Sequence, residues 1–450
     1  MIKRIAILTV FTLTLTVIAA SASQPIGFEK NWHHWRGPHA TGVAVEASPP
    51  TTWSETENIR WKVAIPGIGH AAPIVWEDKI FIQTAIKGEA SKAEAEESGD
   101  DNPFSGFFNQ RRGRGAVENA YKFNLIAINR NDGSILWQKT LRELNPHEGT
   151  HQDATFASNS PVTDGEFIYA YFGSRGLYCV DMMGNVKWEK DVGTMYKRNT
   201  FGEGSSPVLH GNTLVIVQDH EGDSFITALD KRTGDVLWKT DRNERTTWFS
   251  PIVVEQDGKY QVVTAGTNRV RSYDLETGEL LWEGDGLTAN SIPSPVAADG
   301  FVYLMSGFRG SDLKAVHLAK AMGDISSSGA IVWEHGRDTP YVPSPLLYGD
   351  ILYFLKSNDG ILTAFNVKTG EAHYGPKRLQ GVSGVYASIV GASDRVYITG
   401  RNGTVNVLQH GPEFTIIAEN TLDDSFNASP AVVGSELFLR GGQYLYCIAE

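Results

Sequence analysis

The chain has 450 residues, with 40 Lys plus Arg against 52 Asp plus Glu and a formal charge of −12. That acidity opposes nonspecific binding to nucleic acid, whose phosphate backbone selects basic surfaces. Its 46 glycines and short alternating apolar runs, without long Ala- and Leu-rich stretches, exclude a helical protein and point to an all-β one.

Lys3 and Arg4 precede an apolar, Thr-rich run at 5–20, and Ala20, Ser21 and Ala22 then fit a small-residue cleavage pattern. This predicts a signal peptide over residues 1–22 and a periplasmic or secreted mature chain starting at Ser23. The run is shorter than the roughly 20 apolar residues of a membrane span. No later stretch is long and apolar enough either, so no transmembrane segment is expected in the mature chain. No Cys stands near the cleavage point, which argues against a lipid anchor there.

After Trp32-His33-His34-Trp35-Arg36-Gly37-Pro38, residues 59–63 read as a strand carrying Trp61. From residue 72 onward one unit recurs. Each copy opens on a Ser-Pro-like pair: Ala72-Pro73, Ser160-Pro161, Ser206-Pro207, Ser250-Pro251, Ser294-Pro295, Ser344-Pro345, Ser388-Ile389 and Ser429-Pro430. Intervals between second positions are 88, 46, 44, 44, 50, 44 and 41. Within a unit three strands run to an Asp or Asn. A tight turn such as Thr233-Gly234 follows, then a fourth strand with an aromatic: Trp137, Trp188, Trp238, Trp282, Trp333 or Tyr374.

Such units cannot bury a face alone and must stack. The expectation is an eight-bladed β-propeller of four-stranded antiparallel blades over residues 23–450, with seven blades as the alternative. The eighth unit ends without a fourth strand, and 59–63 can supply it and close the ring. The recurring aromatic is read as packing between neighbouring blades. The small position before the Asp holds Ala127, Cys179, Ala228, Ser272, Ala315, Ala364, Val407 and Cys447. The two cysteines are therefore expected as buried free thiols. The long first interval is assigned to an insertion at 87–118, read as a surface loop in which Phe104, Phe107 and Phe108 could meet a partner.

Segments just before each Ser-Pro pair are the most polar and least repetitive, and in a propeller they crowd one mouth of the channel. The candidate ligand or partner residues there are His151, Asp153, Phe156, Arg198, Phe201, Arg242, Arg245, Trp248, Asn290, Tyr341, Tyr386 and Phe426. Aromatic and cationic side chains alternating round a ring suit a carbohydrate, an anionic small molecule or a protein segment. His147 and His151 are four apart, but Pro146 and Gly149 deny them a helix, and His33 and His34 point apart if extended. No metal site is expected from them. No Gly-x-Ser-x-Gly elbow, dinucleotide fingerprint or EF-hand loop occurs, and no catalytic residue is identified.

Ala228-Leu229-Asp230 through Thr233-Gly234 to Trp238 resembles the tryptophan-docking motif of quinoprotein dehydrogenase propellers. With Trp35-Arg36-Gly37-Pro38 and the Ser-Pro blades, the chain is most similar to PQQ-binding-like β-propeller proteins. That group also includes the non-catalytic outer-membrane assembly lipoprotein. The resemblance implies two readings: an exported, monomeric, non-catalytic binding or scaffold module, or a PQQ- and calcium-dependent alcohol or sugar dehydrogenase. For the enzyme, family members use a vicinal disulfide, a stacking Trp, a calcium trio, an Asp and a cation. Trp248 would be the stacking ring, Arg242 and Arg245 would meet quinone carboxylates, and Asp153 or Asp219 would be the channel acid. Cys179 and Cys447 are far apart, and no calcium trio matches. The non-catalytic reading is preferred, with no cofactor expected.

Overall fold

The structure is a computed structural model that describes residues 27–90, 117 and 119–450. The expected signal peptide and nearly all of the expected insertion lie outside the described residues. Eight antiparallel sheets follow one another in chain order. Blade 1 holds strands Ile74–Trp76, Lys79–Ala90, Asn119–Asn129 and Ile135–Leu144. Blade 3 shows the simplest form, with Val208–His210, Thr213–Gln218, Phe225–Asp230 and Val236–Asp241. First strands of adjacent blades touch, so these short strands line a central channel.

The recurrent motif explains how the blades stack. Asp230 Oδ1 accepts from the N–H groups of Arg232 (2.8 Å) and Thr233 (3.1 Å), which closes the turn. Gly234 completes it at φ 74°, and a Cβ there would stand 2.9 Å from the Trp188 ring. Trp188 of the preceding blade lies on this turn and donates Nε1–H to Lys231 O at 3.0 Å. Trp61, Trp137, Trp238 and Trp333 likewise donate to the carbonyls of Arg130, Met182, Leu275 and Val367. The aromatic is thus a bolt between blades, and its register partner is the small residue, as in Ala228 opposite Trp238.

The closing strand Ile59–Ala64 pairs antiparallel with Tyr444–Ile448, with Trp61 opposite Cys447, so the eighth blade is completed from the N-terminal side. Both cysteines are buried and free. Burial pushes each thiol up to about 12.

Two blades depart from four strands. In blade 5 the Thr-Gly turn is replaced by a longer excursion, and its strand Gly323–Asp324 joins blade 4 parallel to Leu280–Asp285. That excursion accounts for the 50-residue interval, and it leaves Trp282 donating to Gln261 Oε1 of its own blade at 2.9 Å. Blade 7 gains Val43–Ala44, parallel to its first strand Val390–Ala392. The insertion bounds also shift: strands extend to Ala90 and restart at Asn119, so 87–90 belong to the sheet.

That extra strand of blade 7 belongs to an N-terminal plug. Trp32 bridges Val75 of blade 1, and His33 O accepts from Thr163 N–H of blade 2. Arg36 is fully buried and donates to Ile389 O, Pro345 O and Thr41 O, tying the plug to blades 6 and 7. Burial without a carboxylate lowers its guanidinium to about 9. Gly42 sits at φ 88°, where any Cβ would strike that guanidinium. Among the described residues no helix is long and apolar enough to cross a membrane.

Candidate functional site

The Ser-Pro serines form a belt round the channel. Ala72 N–H donates to Ser160 Oγ at 2.8 Å, and Ser160, Ser206, Ser250, Ser294, Ser344 and Ser388 each donate N–H to the serine of the next blade at 2.8–3.0 Å. These N–H groups precede the first strands and have no ladder partner, and the next blade's hydroxyl satisfies each of them. The belt stops at the ring seam, where blade 1 has Ala72. There Arg440 of blade 8 donates to Ala71 O (3.0 Å) and Gln83 O (2.7 Å) of blade 1.

A cavity of about 440 Å³ opens at the mouth above this belt. All seven belt serines line it, with the rings of Trp35, Phe201, Trp248, Phe308, Tyr341 and Tyr386. Trp35 comes from the plug, whose neighbours His33, His34, Gly37 and Pro38 border a second cavity of about 680 Å³. The plug therefore separates two cavities, one of them at the mouth built by the loops.

Of the residues singled out from sequence, His151, Asp153, Phe201, Trp248, Tyr341 and Tyr386 meet in this wall. Trp248 donates Nε1–H to Gly202 O at 2.7 Å, which fixes its ring, and Phe201 lies 6.3 Å from it. Tyr341 stacks on Phe308 at 4.6 Å. Asp153 accepts from Arg401 Nη2 at 2.7 Å and from Tyr386 Oη at 3.2 Å, joining the loop before blade 2 to blade 7. Although burial raises it, the Arg401 guanidinium leaves the Asp153 carboxyl below its usual range.

Other expectations need correction. Arg242 does not reach the mouth: it is buried in a two-point ion pair with Asp219 (2.7 and 3.0 Å), with Thr264 and Tyr273 as further partners. Asp219 is consumed in the same pair, so neither the proposed cation nor that acid faces the channel. Phe426 is wholly buried edge-on against Tyr446, as part of the hydrophobic core rather than of the mouth. Phe156 packs edge-on against Tyr121, and Arg245 is exposed. Arg198 and Asn290 lie outside the wall, although Asn290 Nδ2 stands 3.4 Å from Tyr341 Oη. Trp35, His70, Glu203, Phe308 and Asn427 also line the wall. Of these, Trp35 in its Trp-Arg-Gly-Pro motif and Asn427 in the polar segment before Ser429-Pro430 carried a signal in the sequence.

Beside the cavity His147, Glu148 and Glu203 come close enough to hold a metal ion. The grouping differs from the His147–His151 pair suggested by spacing. His147 Nε2 lies 2.8 Å from Met195 O, and Glu148 accepts from Lys197 N–H at 3.0 Å. Burial, with Glu203 nearby, pushes the Glu148 carboxyl up to about 7. Glu203 is held by Ser174 and by Arg175 Nη1 at 2.7 Å, which outweigh its burial and keep it below its usual range. The buried Lys197 ammonium donates to Asp219 O and Thr247 O beside this group. Two protein cations therefore already compensate the acids.

The same residues test the quinone. A planar tricarboxylate needs cations in the wall and a platform for its ring. Among the described residues no Lys or Arg lines the cavity, Asp153 and Glu203 do, and the two cysteines are not adjacent. The residues present do not fit that group.

A family model described as outer membrane protein assembly factor BamB matches residues 50–223, 121–292 and 222–449. Among curated proteins no significant match is found. Similar solved structures include BamB from Moraxella catarrhalis, at 16% identity and TM-score 0.51, over 74% of this chain and 92% of that one. A europium-containing methanol dehydrogenase aligns at 9% identity and TM-score 0.63, over 94% and 98%. Quinohemoprotein alcohol dehydrogenase ADHIIG from Pseudomonas putida HK5 aligns at 11% and 0.57, over 94% and 81%. At these identities the likeness is one of fold.

Proposed function

The chain belongs to the family described as outer membrane protein assembly factor BamB, and on that premise we propose that it is an exported, non-catalytic binding module. Its ligand site is the cavity at the channel mouth. The observation that carries this reading is the convergence there of six aromatic rings, one of them from the plug, and seven serine hydroxyls from successive blades. The volume falls in the ~300–1,000 Å³ range of small-molecule sites. Charged groups of the wall are paired within the protein, so the site is arranged to hold rather than to react. Export rests on the sequence of residues 1–22.

A second reading, a PQQ-dependent dehydrogenase, draws on the shared fold and on the His147, Glu148 and Glu203 group beside the cavity. Titration with PQQ, with and without calcium, separates the two when followed by tryptophan fluorescence and calorimetry. The binding-module reading expects no saturable quinone binding and no dye reduction with alcohols or aldoses. One-to-one quinone binding with dye reduction would overturn it.

A further inference from the structure

We propose that the channel-mouth cavity takes a neutral saccharide and selects against anions, an assignment that rests on reading this cavity as the ligand site.

The argument starts from charge. Among the described residues no Lys or Arg lines the cavity, and the His151 imidazole in its wall stands 3.6 Å from the Asp153 carboxylate, so an anionic ligand meets no unpaired cation there. The acids give a cation no better reception. Asp153 is engaged by Arg401 and Tyr386, and Glu203 by Arg175 and Ser174. His70 is kept neutral: burial, together with Arg440 and Arg401, lowers its imidazole to about 4. Any net charge brought into this space loses its water without gaining a free counter-charge from the described residues.

The remaining polar groups are of mixed type. Each belt serine accepts an N–H through Oγ, and among the described residues none of these hydroxyls donates to a protein acceptor. Seven O–H groups are thus free to donate at the cavity floor. Asn427, also in the wall, has a buried Oδ1 without a partner, while its Nδ2 is 3.2 Å from His70 Nε2. A ligand that answers this set must accept several hydrogen bonds and donate at least one. Sugar hydroxyls do both.

The walls supply the other half. Rings of Trp35, Trp248, Phe201, Tyr341, Phe308 and Tyr386 enclose the space; hydrogen bonds hold Trp248 and Tyr386, and Tyr341 and Phe308 stack on each other. The C–H faces of a pyranose pack against such rings while its hydroxyls reach the belt. A purely apolar ligand would leave the seven hydroxyls dry and unpaired.

The test is calorimetry and tryptophan fluorescence on the purified chain with maltose, cellobiose, trehalose, the acid sugar maltobionate and PQQ. Saturable binding of at least one neutral disaccharide is expected, at least tenfold tighter than maltobionate. Trp248→Ala should weaken it at least tenfold and Trp248→Phe should restore most of it. Tyr341→Ala serves as the second wall variant should Trp248→Ala fold poorly, and it should also weaken binding. Maltobionate binding as tightly as maltose overturns the saccharide assignment yet leaves the cavity as the ligand site. Failure of all three neutral sugars also overturns the assignment. No response of Trp248 to any of the five probes counts against the cavity itself.

Discussion

At the scale of single residues, the belt and the Arg242–Asp219 pair carry opposite lessons about reading polar letters. Ser250→Ala removes the acceptor for Ser206 N–H and leaves a buried donor unpaired. The expected loss is about 1–3 kcal/mol of stability, measured by urea unfolding. An unchanged midpoint would mean that water replaces the hydroxyl. Asp219→Ala is more severe, because it strands the Arg242 guanidinium where both side chains are wholly buried. A cost of about 3–5 kcal/mol is expected. The Ser-Pro pairs were legible as a repeat, but their hydroxyls' partners lie 41–50 residues away, or 88 at the first, and no local pattern reveals them. Arg242 and Trp248 sit in the same polar segment before Ser250. Which one turns to the channel and which to the core depends on Asp219, a partner in the preceding hairpin.

At the scale of elements, the docking turn was readable in full because its parts are local: Asp for the Asx bonds, Gly for positive φ, Trp at a fixed spacing. Where blade 5 lacks that turn, the extra strand Gly323–Asp324 could not be foreseen, since its pairing with blade 4 is tertiary. Trp238→Ala is expected to cost about 3–5 kcal/mol, from the lost ring packing and the lost bond to Leu275 O. The loop at 145–161 offers a pH signature instead. Glu148 is buried near Glu203, Arg175 and Lys197, and its carboxyl titrates at about 7 rather than 4.5. Unfolding frees it to ionise at the lower value. Its contribution is therefore present below about pH 4.5, declines as pH rises to about 7 and stays lost above that. Glu148→Gln removes the penalty. Its stability relative to wild type should climb between pH 4.5 and 7, by up to about 3 kcal/mol. Parallel stability curves across that range would show that the carboxyl is not charged at the expense of the fold.

At the scale of the whole molecule, the question is what closure contributes beyond one more blade. A linear array of repeats frays from its ends, because a terminal unit has one neighbour instead of two. Here the strand Ile59–Ala64 joins the last sheet, and Trp61 docks that blade onto the turn of blade 1, donating to Arg130 O at 2.9 Å. Glu436, which is buried, is held by Arg60 within blade 8 and by Arg130 of blade 1 across the same seam. Blade 8 therefore has two full neighbours, like blade 4. Native-state hydrogen exchange should give Tyr444–Ile448 and Arg269–Asp274 similar opening free energies in the wild type. Trp61→Ala turns the seam into an end. A loss of about 3–5 kcal/mol of protection is expected at Tyr444–Ile448, with a smaller loss at Arg269–Asp274. Equal losses at both strands would mean that the ring opens only as one cooperative unit, and that the seam stabilises all eight blades at once rather than the two it joins.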